Sequence, residues 1–219
     1  MTVKGAIFDM DGLLLDSEAQ SIYTWPEAGR EQGYEITRQM IRDITGTNHV
    51  NCRRIMTEYL GADLDFDHLY NRAIDLLYER MLKLNMPLRP YAREILEDLK
   101  AAGVKLALGT STNRDRAMEE MKIAGLDTFF DVFCFGNEVE KGKPAPDIFL
   151  LAAERLGIEP SECVVLEDSP NGVLAALAAG MEAIWIPDQI TEEDRPDTAE
   201  AANYVFPTLK EASAHLTGK

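Results

Sequence analysis

Short, continuously apolar runs alternate along this chain with longer segments whose apolar residues recur at helical spacing. The first run, residues 3–8, ends at Asp9 and predicts a buried strand followed by a turn. Similar runs at residues 104–108, 163–166 and 183–186 predict three further strands. Helical segments separate these runs, so the pattern predicts an α/β fold: a doubly wound parallel sheet with helices on both faces.

Glycines mark the ends of the predicted helices. Gly103, Gly125, Gly157 and Gly180 each follow a helical segment. A glycine at this position commonly terminates an α-helix, because it adopts the left-handed backbone conformation without strain. The four glycines therefore support the division of this region into helices and strands.

Residues 17–86 break the alternation, because they show no further buried-strand pattern. Their clearest helical stripe consists of apolar residues three or four positions apart, namely Phe66, Leu69, Tyr70, Ala73, Ile74, Leu77 and Met81. Pro26 falls inside the first predicted helix and is expected to kink or split it near Trp25. The pattern predicts two domains: an α/β core of residues 1–16 and 87–219, and an inserted all-helical domain of residues 17–86.

Composition and charge limit the classes of protein to which this chain can belong. The 219 residues are 46% hydrophobic and 27% charged, as in globular proteins, and the net charge is −16. So acidic a chain is not expected to bind nucleic acid or an anionic membrane through bulk charge. The longest apolar stretch, residues 173–186, is too short to span a bilayer. We therefore predict a soluble cytoplasmic protein with free thiols at Cys52, Cys134 and Cys163, and a monomer.

Polar residues follow the predicted strands at the edge where parallel sheets bind ligands. Asp9 and Asp11 follow the first strand, Thr110 the second, and Glu167 with Asp168 the third. Four carboxylates converging there would repel one another unless a cation lay among them. Their hard oxygens suit Mg²⁺, which binds a few carboxylates and leaves room for water and phosphate oxygen. Asp9, Asp11, Glu167 and Asp168 are therefore the candidate ligands of a Mg²⁺ cofactor.

These residue types suffice for phosphoryl transfer. The Asp9 carboxylate can act as a nucleophile that forms an aspartyl-phosphate, and Asp11 can act as general acid and then general base. Thr110 offers a hydroxyl group, and Lys143 a positive charge, to the phosphoryl oxygens. Each has a structural alternative: the aspartates as turn residues, Thr110 as a cap, and Lys143 as a solvated loop residue.

Two short polar segments precede predicted helices. Ser111, Thr112 and Asn113 either contact the substrate, with Ser111 at the phosphate, or cap the helix that begins near residue 114. Ser169 and Pro170 form a favourable N-cap and first-turn pair, so we predict a structural role for both.

Together these segments resemble the four motifs of the haloacid dehalogenase superfamily, in order and over nearly the whole chain. The matching segments are DMDGLLLDS at residues 9–17, GTST at 109–112, GKPAPD at 142–147 and VVLEDSPNG at 164–172. The helical insertion after the first motif resembles the C1-type cap of the phosphoglucomutase-like phosphatase group. The resemblance thus implies a Rossmann-like core with a helical cap domain.

The resemblance also implies roles for the site residues. Asp9 would be the nucleophile, and Asp11 the general acid/base whose backbone carbonyl also binds the metal. Asp168 would be a Mg²⁺ ligand and Glu167 a direct or water-mediated one. The phosphoryl group would be bound by Thr110 and Lys143, to which the segment after Thr110 adds Ser111 as a further candidate. Because the dehalogenases proper lack an aspartate at the position of Asp11, phosphoryl chemistry is favoured over carbon–halogen cleavage.

We predict a Mg²⁺-dependent phosphatase that hydrolyses a small phosphorylated metabolite, a sugar or nucleoside monophosphate, through an aspartyl-phosphate. The alternative is a phosphomutase resembling β-phosphoglucomutase, which returns the phosphoryl group to a second position of the sugar. The family's sugar phosphomutases carry an arginine where this chain has His49, and a histidine where it has Ser21. These departures favour the phosphatase. His49 is the candidate substrate contact in the cap; otherwise it is an ordinary polar loop residue.

Two non-enzymatic classes share part of this pattern. A phospho-receiver domain also has aspartates, a threonine and a lysine at strand ends, but there the last two follow the aspartates. Here Thr110 and Lys143 precede Asp168. A non-catalytic sugar-phosphate binding module is also possible, but it would not need Asp9 and Asp11 together.

Overall fold

The computed structural model describes residues 3–45, 47, 49–188, 191 and 193–218. At its centre lies a sheet of parallel strands in the spatial order β3-β2-β1-β4-β5-β6. The strands are β1 (Gly5–Phe8), β2 (Lys105–Thr110), β3 (Val132–Phe135), β4 (Cys163–Glu167), β5 (Glu182–Trp185) and β6 (Tyr204–Val205). The predicted α/β fold with a parallel sheet is confirmed.

Ten α-helices lie in the described part of the chain. They are α1 (Glu18–Glu31), α2 (Arg38–Ile44), α3 (His49–Leu60), α4 (Phe66–Lys83), α5 (Ala92–Ala101), α6 (Arg114–Ala124), α7 (Asp147–Leu156), α8 (Pro170–Ala178), α9 (Pro196–Ala201) and α10 (Leu209–Thr217). Helices α1–α4 lie between β1 and β2 in the chain and form the helical insertion. None of the described helices combines the length and apolar character that a membrane span needs.

Both faces of the sheet are covered, as the continuously apolar strands predict. Successive side chains of a strand point to opposite faces, so Ala6 and Phe8 of β1 enter one hydrophobic core while Ile7 enters the other. Helices α5 and α10 pack against each other on the first face, and α7 packs on the second. Helices α6 and α7 end at Gly125 and Gly157, which are left-handed, as the sequence predicts.

Two strands are not predicted from the sequence. Strand β3 is a run of only four residues after a short helical turn, and it pairs with the end of β2. That pairing also extends β2 beyond the predicted residue 108, so that Gly109 and Thr110 belong to the strand. Strand β6 contains two residues at the sheet edge, too few to give a periodic pattern.

Of the two effects predicted at Pro26, the split of the first helix is wrong, and the kink stays a prediction. Helix α1 continues through Pro26 from residue 18 to residue 31. Trp25, Ala28 and Gly29 on the same helix are buried, and α1 packs closely along α4. This packing outweighs the loss of one backbone hydrogen bond at the proline.

The helical insertion has its own hydrophobic core, which includes Trp25, Met56, Phe66 and Leu69. The chain enters and leaves the insertion through two adjacent segments that pair with each other. The amide of Asp16 donates to the carbonyl of Pro87 (2.8 Å), and the amide of Arg89 donates to the carbonyl of Leu14 (2.9 Å). The two connecting segments therefore lie side by side, while Met81 near the end of α4 is buried in the hydrophobic core of the sheet.

Candidate active site

The direction of winding reverses at β1 and β4. The chain proceeds from β1 through β2 to β3 on one side, and then from β4 to β6 on the other. Doubly wound sheets bind ligands in the crevice at such a switch point. Asp9 directly follows β1, and its amide donates to the carbonyl of Leu166 on β4 (3.1 Å). Because Glu167 ends β4 and Asp168 follows it, the topology brings these three acidic residues together.

Asp9, Glu167 and Asp168 form a carboxylate cluster in which one oxygen of each lies within 4.8 Å of the others. The side chains of Asp9 and Glu167 are only 10% and 1% exposed. Burial raises the pKa of Asp9 to about 8, with Lys143 opposing the shift and Glu167 adding to it. Burial and the neighbouring carboxylates also raise the pKa of Asp168 well above its ordinary value.

The Lys143 ammonium group lies between two members of this cluster. Its Nζ donates to Asp9 Oδ1 (2.5 Å), to Glu167 Oε1 (2.5 Å) and to the carbonyl of Gly109 (3.1 Å). Burial alone would lower the pKa of Lys143, but the two carboxylates raise it above its ordinary value. One ammonium among three carboxylates leaves an excess of negative charge. This donor set of hard oxygens fits a divalent cation such as Mg²⁺.

Two glycines make room for the carboxylate cluster, because a side chain at either position would overlap one of its carboxylates. A Cβ atom at Gly172 would lie 1.9 Å from the carboxylate carbon of Glu167, and one at Gly12 would lie 2.1 Å from Asp168 Oδ2. The Glu167 carboxylate is also held by Ser169, whose amide and hydroxyl donate to Oε2 at 3.1 and 3.0 Å. Ser169 additionally accepts from the amide of Gly172, which confirms its predicted N-cap role.

We expect Gly172→Ala to displace the Glu167 carboxylate and to destabilise the protein by about 1–3 kcal/mol, because the added methyl group overpacks a filled site. Urea denaturation measures the change. Gly142→Ala is the matched stability control, because no heavy atom lies within 4 Å of a Cβ atom there. Equal stability of the two variants would show that Glu167 can move freely.

Asp11 lies beside the carboxylate cluster, but its side chain is not part of it. Its Oδ2 accepts a hydrogen bond from the Thr112 hydroxyl (2.9 Å). Asn113 instead caps α6, because its Oδ1 accepts from the amide of Arg116 (3.2 Å). In the segment after β2, Thr112 therefore orients Asp11, and Asn113 caps the start of α6.

Thr110 and Ser111 lie at the carboxyl end of β2, next to β1 in the sheet. Thr110 is 1% exposed, and its Oγ1 accepts from the amide of Thr112 (3.1 Å). The backbone of Ser111 passes so close to Gly136 that a Cβ atom there would lie 2.0 Å from the Ser111 carbonyl oxygen. The ends of β2 and β3 are therefore held tightly together beside the site.

A cleft of about 460 Å³ is lined by most of the sequence-predicted site residues. They are Asp9, Asp11, His49, Thr110, Ser111, Lys143 and Asp168. Glu167 does not line the cleft, because it is completely buried and contacts Lys143 instead.

His49 reaches this cleft from the start of α3 in the helical insertion. Its Nε2 lies 3.4 Å from Asp67 Oδ1, and its ring packs edge-on against Phe66 and Tyr70, with centroid distances of 5.2 and 4.7 Å. Gly46 and Asn48, in the same predicted loop, lie outside the described residues. His49 and Tyr70 thus form an aromatic wall that the insertion contributes to the cleft.

Sequence reasoning missed Glu18, Tyr70 and Asn171, which also line the cleft. Burial, together with the charges of Asp11 and Asp188, raises the pKa of Glu18 to about 7. An acidic residue in the first turn of a helix is ordinarily explained by the helix dipole, so Glu18 gave no distinct signal. Tyr70 belongs to the apolar stripe of α4, and periodicity alone does not separate a packed ring from one that lines a cleft.

A second ion pair, formed by two residues of α6, lies near Asp11. Arg116 Nε donates to Glu120 Oε1 (2.9 Å), and the Glu120 side chain is only 3% exposed. Burial and the charge of Asp11 raise the pKa of Glu120 to about 7, although Arg116 opposes the shift. The folded protein is therefore less stable when Glu120 is ionised than when Glu120 is protonated.

We expect the stability of Glu120→Gln relative to wild type to rise with pH. The folded pKa of Glu120 is raised, so the wild type loses stability as the pH rises from about 4.5 to about 7, whereas glutamine does not titrate. The difference should grow by up to about 3 kcal/mol over this interval. Urea denaturation at pH 5 and pH 8 measures it; a constant difference would mean that folding does not raise the pKa of Glu120.

Comparison with known proteins shows to which family this chain belongs. The sequence pattern of haloacid dehalogenase-like hydrolases matches residues 3–180. The phosphorylated carbohydrates phosphatase of Thermotoga maritima is 36% identical over 186 residues, which cover 84% of each chain. The fructose-1-phosphate phosphatase of Escherichia coli is 32% identical over 182 residues, covering 82% of this chain and 94% of that one. The chain belongs to the haloacid dehalogenase-like hydrolase family.

A solved structure supports the same assignment. A variant of CbbY from Rhodobacter sphaeroides, in complex with xylulose 1,5-bisphosphate, is 26% identical and superposes with a TM-score of 0.79. The similarity covers 95% of this chain and 96% of that one. The resemblance that the four sequence motifs indicate is therefore confirmed at the level of family and fold, and the two relatives named above are phosphatases.

Proposed function

We propose that this protein is a Mg²⁺-dependent phosphatase that hydrolyses a small phosphorylated metabolite, a sugar or nucleoside monophosphate. The observation that carries the proposal is the carboxylate cluster at the sheet's switch point, with the Lys143 ammonium between Asp9 and Glu167 and with Asp11 alongside. The phosphatases among its relatives support the same chemistry.

In the first step, an oxygen of the Asp9 carboxylate attacks phosphorus, and the bond from phosphorus to the leaving oxygen breaks. Protonated Asp11 gives its proton to that oxygen, so the metabolite leaves as an alcohol. Lys143, Thr110 and Ser111 bind the phosphoryl oxygens in this proposal. The hydrogen bond from Thr112 holds the Asp11 carboxyl group in position.

In the second step, ionised Asp11 takes a proton from water, and the water oxygen attacks phosphorus. The bond between phosphorus and the Asp9 oxygen breaks, which releases inorganic phosphate and restores both carboxyl groups. Asp11 thus ends the cycle protonated, as it began.

The metal ion would be held by Asp9, Glu167 and Asp168, and by the backbone carbonyl of Asp11. The excess negative charge and the raised pKa values of Asp9 and Asp168 support this assignment. When bound, Mg²⁺ would supply positive charge to the phosphoryl oxygens and favour the ionised form of Asp9.

In this proposal, two domains have different roles. Residues 1–16 and 87–219 form the core that holds the reacting groups, and residues 17–86 form a cap. The separate hydrophobic core of the insertion and the pairing of its two connecting segments support this division. His49 is the proposed substrate contact in the cap.

We further infer that the protein acts as a cytoplasmic monomer whose partner is its small phosphorylated substrate. The buried free thiols of Cys52, Cys134 and Cys163 are typical of a reducing compartment.

A substrate panel tests the proposed function. The protein is incubated with sugar phosphates and nucleoside monophosphates, and with β-glucose 1-phosphate plus a bisphosphate primer, with and without Mg²⁺. Free phosphate and glucose 6-phosphate are followed in parallel. We expect Mg²⁺-dependent free phosphate. Glucose 6-phosphate without free phosphate would instead establish a phosphomutase.

A further inference from the structure

A second chamber of about 640 Å³ adjoins the cleft at Asp11. The two cavities share four lining residues: Asp11, Glu18, Tyr70 and Ser111. The chamber extends from there between α6 and the helices α1 and α4 of the insertion. Its volume is typical of a site for a small metabolite.

The position of Asp11 indicates what each cavity holds. Asp9, Lys143 and Asp168, on the phosphoryl side of the proposed reaction, line the first cleft and not the chamber, whereas Asp11 lines both. An acid that protonates the leaving oxygen must lie beside the bond that joins the phosphoryl group to the leaving group. The chamber therefore lies where the leaving group of the substrate would be.

The lining of the chamber combines hydroxyl and amide groups with an apolar part formed by Ile74 and Leu77. Besides the shared residues, these groups come from Ser17, Ser21, Thr112, Asn113 and Asn137. The charged groups among the described lining residues are the carboxyls of Asp11 and Glu18 and the guanidinium group of Arg116. Because Arg116 pairs with Glu120 and shares the lining with two carboxyl groups, an anionic leaving group would meet no surplus of positive charge here.

Arg116 is held in a defined orientation. Its Nε donates to buried Glu120, and its guanidinium carbon lies 4.8 Å from the centre of the Tyr78 ring. Within the described part of the chain, neither terminal amino group donates a hydrogen bond. The side chain is 22% exposed and lines the chamber, so these donors are accessible to a ligand.

We propose that this chamber binds the leaving group of the substrate, that the leaving group is a neutral polyhydroxylated one, and that Arg116 determines specificity by donating hydrogen bonds to its hydroxyl groups. Glu120 is the positioning residue that holds Arg116. This inference rests on the proposed phosphatase function. It assigns the substrate to the class of polyol or sugar monophosphates rather than bisphosphates or nucleotides.

Steady-state kinetics test the inference. The substrates are sorbitol 6-phosphate and fructose 1-phosphate, p-nitrophenyl phosphate (whose leaving group has no additional hydroxyl), fructose 1,6-bisphosphate and uridine monophosphate. Wild type is expected to prefer the two polyol monophosphates over the bisphosphate and the nucleotide. Arg116→Gln should lower the ratio of kcat/KM for a polyol phosphate to that for p-nitrophenyl phosphate about 10-fold to 100-fold, mainly through KM, since it removes hydrogen bonds from a charged donor.

Arg114→Gln is the matched control, because Arg114 is a half-exposed arginine on the same helix that pairs with Glu138 outside both cavities. It should leave the ratio unchanged. Glu120→Gln should lower the ratio less than Arg116→Gln, because the guanidinium group stays but loses its charged anchor.

Three results would overturn the inference: preference for the bisphosphate, preference for the nucleotide, or an Arg116→Gln defect of equal size on every substrate. Each leaves the phosphatase function intact, because free phosphate is still released. Absence of phosphate release from all substrates, p-nitrophenyl phosphate included, would instead overturn the proposed function and this inference with it.

Discussion

Asp9→Asn is expected to lower the rate of phosphate release on the order of 10³-fold or more, the scale of loss seen when a nucleophile is removed. The substitution keeps the size of the side chain but replaces the attacking carboxylate oxygens with a weakly nucleophilic amide. It also removes one of the two carboxylates that bind the Lys143 ammonium. Initial rates of phosphate release in saturating Mg²⁺ measure the effect.

Two measurements distinguish a loss of catalysis in Asp9→Asn from a loss of folding. Thermal denaturation shows whether Asp9→Asn remains folded. Asp16→Asn is the matched control, because Asp16 belongs to the same segment but lines neither cavity. It should retain nearly all activity. If Asp9→Asn keeps more than about a tenth of the wild-type rate, another group must be the nucleophile.

Asp168→Asn is expected to abolish the stabilisation that Mg²⁺ gives the wild-type protein. An ion at about 100 times its dissociation constant stabilises the folded state by about 2.7 kcal/mol. For a chain of this length, that corresponds to an increase in Tm of roughly 5–10 °C. Because Asp168 supplies one of the three clustered carboxylates, the variant should show neither the shift in Tm nor Mg²⁺-dependent turnover.

The control for this experiment is Asp63→Asn, an exposed aspartate in the helical insertion, which should keep the full Mg²⁺-dependent shift. Chelation of divalent cations should reduce wild-type activity to the level of Asp168→Asn, and added Mg²⁺ should restore it only in the wild type. An unchanged Tm shift in Asp168→Asn would place the metal elsewhere.

Much of the fold could be predicted because its signals are local. Short apolar runs encode strands buried on both faces, and Gly125 and Gly157 mark helix ends by a backbone conformation that favours glycine. Once the sheet is known to be parallel, the order of its strand ends places Asp9 near Asp168 without further information. Strands β3 and β6 could not be predicted, because each is too short to show a periodic pattern. They are strands only through their pairing with β2 and β5, respectively.

The second chamber could not be predicted, because it depends on how the helical insertion sits against α6. Tyr70 gives the same sequence signal as its buried neighbour Leu69, and only the packing of α4 turns its ring toward the cavities. Arg116 and Glu120 are four residues apart on a helix and would be expected to form an ordinary surface pair. Their burial beside Asp11 is a tertiary effect.

In the proposed mechanism, Asp9 carries the phosphoryl group between substrate and water. The most direct test is to quench the protein during turnover, reduce it with borohydride, and map the modified residue by mass spectrometry. Borohydride reduces an acyl phosphate to an alcohol, so a phosphorylated aspartate is recovered as homoserine. We expect homoserine at position 9 only when substrate and Mg²⁺ are both present. Steady turnover with unmodified Asp9, or with homoserine at position 11 instead, would contradict the mechanism.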